Sequence, residues 1–209
     1  MTERRFRREP HADPSALRAV FSNTATAPLW MLARLYLGYQ WLIAGWDKVA
    51  GNDRWIARDG RDGLALKAMW ERTTAMPGDG APAISYDWYR DFLSYMLRHQ
   101  AYTWFDWVIA LGETAIGIAL IIGVLTGFAA LAGVFLTFNF QLAGAASVNP
   151  LLFIVALLIA FGWKVAGWIG VDRWLLPALG APWRPAYPVK RAIRHPVPDP
   201  GIDATWSHA

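Results

Sequence analysis

Four long apolar blocks divide this chain, separated by polar stretches of very unequal length. They run over about 28–49, 103–124, 128–146 and 150–170. Each is close to the roughly 20 residues that cross a bilayer as a helix. Residues 1–27, 50–102 and 171–209 are polar by contrast. The pattern predicts an all-α membrane protein: a four-transmembrane-helix bundle at 28–170, with a long external loop at 50–102 between the first two helices. A basic arm precedes the bundle and a proline-rich tail follows it.

Polar positions inside the blocks are spaced rather than scattered. Asp106, Ala110, Glu113 and Gly117 recur at helical intervals in the second block, so they share a face. Arg34, Gly38, Trp41, Gly45 and Lys48 make a similar stripe in the first. The third carries Ala132, Leu136, Asn139, Ala143 and Ala146, and the fourth Ala156, Ala160, Lys164 and Gly167. In lipid, small residues let backbones approach and a polar side chain must find a partner, so such faces turn inward. Four inward faces converge in a bundle.

The long loop has two helical stretches of its own. Asp62 is placed to cap one through Trp70, and Asp87 one through about His99, with PGDGAP (Pro77 to Pro82) as a turn between them. The second carries Trp88, Tyr89, Phe92, Leu93, Met96 and Leu97 on one broad face. It is too short and too charged to span, and is expected to lie in the interface or cap the bundle.

Composition sharpens this picture. Hydrophobic residues make up 55% of the chain, with thirteen Trp, and their concentration in blocks marks an integral membrane protein. No cysteine is present, which removes disulfides, thiol nucleophiles, iron–sulfur clusters and covalently attached haem. His11, His99, His195 and His208 all fall outside the blocks, so no bis-histidine haem and no metal site is expected within the bundle. No phosphate-binding loop, dinucleotide fingerprint or hydrolase elbow occurs, and no basic stripe suggests nucleic acid. Arg4, Arg5, Arg7 and Arg8 have no short apolar region after them, so they read as an anchor on anionic headgroups rather than a secretion signal. Together with Arg18, and with Arg173, Arg184, Lys190, Arg191 and Arg194 in the tail, they place both termini in the cytoplasm. The loop holds seven Lys and Arg, so the bias is modest.

Counting helix rise gives relative depths. Glu113 is the deep acid, with Asn139 at a similar level; Arg34 and Lys164 are the deep bases, toward the cytoplasmic side. Asp47, Lys48 and Asp106 fall near the outer surface. Arg34 is the expected partner of Glu113, because a guanidinium bonds a carboxylate twice. The network serves either to lock helix register or to form a ligand or proton path. With no metal site expected, any electron chemistry calls for a diffusible carrier such as a quinone.

Several strings then carry a resemblance. GYQWLIAGWDKV in the first block, YDWYRDFL in the loop, GETAIGIALIIGVLTG in the second block, NFQLAGAASVNP after the third and AGWIGVDRWLLP after the fourth resemble the DoxX/DoxD family. The likeness covers roughly Trp30 to Pro177. It implies a four-helix protein of the bacterial inner membrane. It also implies a role like the large subunit of thiosulfate:quinone oxidoreductase, or like accessory subunits of quinone-linked and oxidative-stress membrane complexes. The matching positions are Gly45 and Lys48, Gly112–Glu113, Asn139–Phe140 and Asn149–Pro150. The chain has no fused second domain, so a small partner subunit would be a separate chain.

Two roles follow as expectations. In one, a quinone lies against Trp41, Trp46 or Tyr39 near Asn139, Glu113 relays a proton beside Arg34 and Lys164, and a thiosulfate dianion meets Lys48, Arg90 or Arg98. In the other, which the lack of a visible catalyst favours, the chain is a non-catalytic subunit. Its partners are then the lipid bilayer and other membrane subunits of a larger complex.

Overall fold

The computed structural model describes residues 15–51, 55–56, 63–76, 84–145 and 147–181. Asp62, the PGDGAP turn, Ala146, the first fourteen residues and the tail from Pro182 lie outside them. The described residues are all-α: α1 Ser15–Phe21, α2 Ala27–Ala50, α3 Leu64–Thr74, α4 Asp87–Arg98, α5 Tyr102–Ile122, α6 Thr126–Leu142, α7 Asn149–Phe161, α8 Trp163–Ala166 and α9 Asp172–Ala178. A 3₁₀ turn at Thr24–Thr26 links α1 to α2.

Local chemistry sets these limits. Pro28 sits in the first turn of α2, where its missing N–H is no loss. Gly123 ends α5 in the left-handed conformation, at φ 71°. Leu125 follows at φ 47°, a strained value for a side chain with a Cβ. The Asp172 carboxylate holds it there, accepting from the Leu125 and Thr126 N–H groups at 2.6 and 2.8 Å. An acid from far along the chain thus caps α6 at the positive end of its dipole. At Gly162 the fourth block breaks, but Gly162 N–H donates to Leu158 and Ala166 N–H to Gly162, so α8 continues from α7.

The four blocks pack as a bundle, α2 along α5 and α6 along α7. Glycine brings α2 and α5 into backbone contact. A Cβ on Gly45 would stand 2.5 Å from Thr114 N and one on Gly117 2.5 Å from Leu42 N. Two apolar cores result. One joins Leu37, Trp41, Ile116, Leu120, Ala130, Ala156 and Ile159 within the bundle. The other lies under α3 and α4 at one end, around Leu66, Trp70, Ile84, Tyr89 and Leu93. The opposite end gathers α1, the α5–α6 turn and α9. There Phe21 stacks near Trp30, and the Val171 and Asp172 N–H groups donate to Ile122 and Gly123.

Among the described residues one helix, α5, is both long and apolar enough to cross a membrane; its 21 residues span about 31 Å. α6 and α7 are apolar but shorter, at 17 and 13 residues. The stripes of the first two blocks are inward as expected: Arg34, Gly38, Trp41 and Gly45 on α2, and Asp106, Ala110, Glu113 and Gly117 on α5, are buried. Two expectations are corrected. α6 buries Ala129, Ala130, Gly133 and Thr137; of the expected stripe Ala143 is buried, Leu136 and Asn139 are half-buried and Ala132 is exposed. The Thr137 hydroxyl donates to the Gly133 carbonyl of its own helix at 2.8 Å, so a polar group sits inward without needing a neighbouring helix. Lys164 is exposed rather than inward, and its ammonium lies 5.4 Å from the Trp163 ring centre.

Candidate functional site

Backbone contact between α2 and α5 fixes the register that makes the site. Gly45 faces Ala110 and Thr114, and Gly38 faces Gly117 and Ile121. Glu113 therefore lies level with the last turns of α2. Its Oε2 accepts from Lys48 Nζ at 2.6 Å. Glu113 is 1% exposed and the Lys48 side chain 15%. Lys48 also donates to the Ala44 carbonyl at 3.2 Å, and its ammonium sits 5.0 Å from the centre of the Trp55 ring.

The expected Arg34–Glu113 pair is thus replaced by Lys48–Glu113. Arg34 is at the opposite end of the bundle, 2% exposed, donating from one terminal nitrogen to the Ile169 carbonyl at 2.7 Å. Its guanidinium fits against Gly123 and Gly170, where a Cβ would overlap it, and is attracted by Asp172. Arg34 is a clasp between α2 and the α5–α6 turn rather than a member of the Glu113 network. Asp106 is also fully buried, with one carboxylate oxygen accepting from Trp107 N–H.

Beside the pair opens a cavity of about 220 Å³, lined by Trp41, Trp55, Phe140, Gln40, Asn149 and Lys48–Glu113, among others. Two buried polar atoms of the surrounding side chains have no hydrogen-bond partner among the described residues: Glu113 Oε1, an acceptor, and Trp41 Nε1, a donor on the indole edge that lies against Gly133 of α6. Among the described residues no three of His, Asp and Glu gather where they could hold one metal ion.

The other residues singled out from the sequence are distributed more widely. Trp46 and Tyr39 are 60% and 57% exposed on the outer face of α2, away from the cavity. Asn139 donates to the Phe135 carbonyl and accepts from the Tyr89 hydroxyl at 3.3 Å. It lines a separate space of about 110 Å³ beneath α4. Burial there pushes the Tyr89 phenol up to about 12. Arg90 bonds Asp87 on its own helix, and Arg98 is exposed two turns further along α4. Lys48, Arg90 and Arg98 therefore do not converge on one anion.

Sequence reasoning missed Trp55 and Gln40 on the cavity wall and Asp172 at the clasp. A signal for Lys48 was present: the glycines of α2 and the Ala110–Gly117 pair of α5 both repeat at seven, and laying them antiparallel puts Glu113 beside the last turn of α2. Nothing in the sequence marks Asp172 as the cap of a helix that starts 46 residues earlier.

Comparison of the chain with protein-family models, with curated proteins and with solved structures gave no match.

Proposed function

We propose that this chain is a four-span protein of the bacterial cytoplasmic membrane. It resembles the DoxX/DoxD family and serves as an accessory subunit of a quinone-linked or other electron-transfer complex. The observation that carries the membrane reading is an inverted distribution of side chains. Leu29, Leu32 and Ile43 on α2, Val108, Leu111 and Ile118 on α5, Phe128, Leu131 and Phe135 on α6, and Leu151, Ile154 and Phe161 on α7 are all exposed. Arg34, Asp106 and Glu113 are buried on the same helices. A belt of that extent around a bundle matches lipid as solvent; in water it would drive aggregation. Both described chain ends lie at the Arg34 end, which on this reading faces the cytoplasm, with α3 and α4 outside.

The accessory role is favoured over thiosulfate dehydrogenation by the charge arrangement. Lys48 is already neutralised by Glu113, so a dianion there would have to displace a carboxylate at 2.6 Å. Arg90 and Arg98 are too dispersed to supply a substitute.

The absence of cysteine makes topology directly measurable. In intact spheroplasts, a membrane-impermeant maleimide should label Ser85→Cys and Ser147→Cys but spare Ser22→Cys, all three positions being exposed. Equal labelling of Ser22→Cys and Ser147→Cys would remove the four-span reading. After extraction in mild detergent, the chain should migrate with redox-active membrane subunits. Migration only as a free monomer would remove the accessory role.

A further inference from the structure

A second concavity opens at the other end of the bundle, where α6 begins. It encloses about 330 Å³. Its wall is drawn from Phe128 and Leu131 of α6, Ala160 and Trp163 of α7 and α8, and Leu176 of α9, and holds no charged residue. Gly127 lets the Trp163 side chain lie against α6: a Cβ at that position would stand 3.1 Å from Trp163 Cβ and 3.3 Å from its Cγ.

Two observations narrow what such a groove can take. Phe128 is 71% and Leu131 55% exposed, so the wall is continuous with the belt of apolar side chains on the outside of α6. Lys164, next to Trp163 in the chain, is exposed, and its ammonium is held over the Trp163 ring. No carboxylate pairs with it among the described residues. An uncharged slot with an unpaired cation beside its wall complements an amphiphile with an anionic head. The tail finds the groove and the head finds Lys164. A partner helix does not fit: one turn, about 10 Å across and about 5.4 Å long, already exceeds this volume. A single flexible hydrocarbon chain adapts to it.

We propose that this groove seats one acyl chain of an anionic phospholipid whose phosphate lies on the Lys164 ammonium. The site rests on the four-span reading above and deepens it. That reading puts this end at the cytoplasmic leaflet, where anionic lipids attract basic side chains. Arg173, also exposed and held 4.7 Å from the centre of the Trp168 ring, adds a second positive charge at the same end. Bound lipid bridges α6, α8 and α9, so it stabilises the fold as a ligand does.

The test is native mass spectrometry of the full chain, released from detergent after titration with phosphatidylglycerol and, separately, with phosphatidylcholine of the same acyl chains. One phosphatidylglycerol should be retained about fivefold more tightly, the worth of one lysine facing an anionic headgroup. Lys164→Gln changes an exposed side chain, so folding is preserved, and should bring phosphatidylglycerol down to the level of phosphatidylcholine. Arg98→Gln, at an exposed cation of the opposite end, should leave the preference intact. Ala160→Phe, which fills the groove, should abolish retention of either lipid. If that variant does not fold, Lys164→Gln and Arg98→Gln still decide. Equal retention of the two lipids, a preference untouched by Lys164→Gln or lost equally in Arg98→Gln, or retention indifferent to Ala160→Phe would each overturn the proposal. Maleimide labelling as expected for four spans, together with any of these results, would leave the membrane reading standing and the lipid site refuted.

Discussion

Lys48→Met is the sharpest perturbation of the core of this protein. It leaves the Glu113 carboxylate 1% exposed with its Lys48 partner gone. Taking one member from a buried pair costs about 3–5 kcal/mol, most of it from the charge left behind. The Lys48 side chain is 15% exposed and lies on the cavity wall, where water can partly solvate the carboxylate, so the low end applies. For a chain of 209 residues that is a fall on the order of 6–12 °C in unfolding temperature. Glu113→Leu should cost a similar amount by stranding the ammonium. The double variant Lys48→Met, Glu113→Leu should be near neutral, because two apolar side chains of comparable volume replace a desolvated pair. Thermal unfolding of all four proteins in one detergent, followed by the loss of the monodisperse species, closes the cycle. A double variant as unstable as the two single losses added together would refute the reasoning, since it would mean that the pair has no coupling.

Three further outcomes follow from the packing. Gly45→Ala and Gly117→Ala should each destabilise by about 1–3 kcal/mol, because the added methyl meets backbone of the facing helix, whereas Gly112→Ala should be neutral or stabilise by up to about 1 kcal/mol in the same unfolding assay, since nothing lies within 4 Å of the new carbon. Asp172→Ala should cost about 1–2 kcal/mol for the lost cap of α6 and more for the buried Arg34 left without its nearby carboxylate, and amide exchange at Leu125 and Thr126 should rise. Alkaline titration of tyrosinate absorbance should show a step at about pH 12 that disappears in Tyr89→Phe. Since this phenol is raised in the folded protein and the unfolded one ionises near 10, its share of stability is full below pH 10 and lost as pH climbs to about 12.

Much of this architecture is legible in the amino-acid sequence. Helix positions follow from hydropathy and from Pro28, Gly51 and Gly123 at their ends. The inward faces of α2 and α5 follow from glycines spaced along stripes that also hold charge. Legibility fails where a polar residue can satisfy itself locally. Asn139 reads as an inward group at mid-depth, yet its amide bonds its own helix and its oxygen meets Tyr89 from a loop helix far away in sequence. Lys164 reads as inward by its alignment with Ala156 and Ala160, but the face that packs inward runs through Leu152, Ala156, Ile159, Val165 and Ala166, and Lys164 lies to one side of it.

The exchange of Arg34 for Lys48 has a different cause, which is register rather than residue type. Matching Arg34 to Glu113 relied on the guanidinium being the better carboxylate partner, but reach decides before geometry can. Gly45 sits against Ala110 and Thr114, so Glu113 is level with Gly45, and Arg34 lies eleven residues back along α2, about 16 Å away along the axis. No side chain spans that distance. Lys48 is one turn past Gly45 and extends back to the carboxylate, with its ammonium also on the Ala44 carbonyl. Arg34, at the far end, is level with Gly123, and there the absence of side chains on Gly123 and Gly170 makes room for a planar cation. Each charge is therefore placed by the glycines opposite it. An added methyl at Gly45, which displaces α5 along or away from α2, should disturb the Lys48–Glu113 contact while leaving the Arg34 clasp intact.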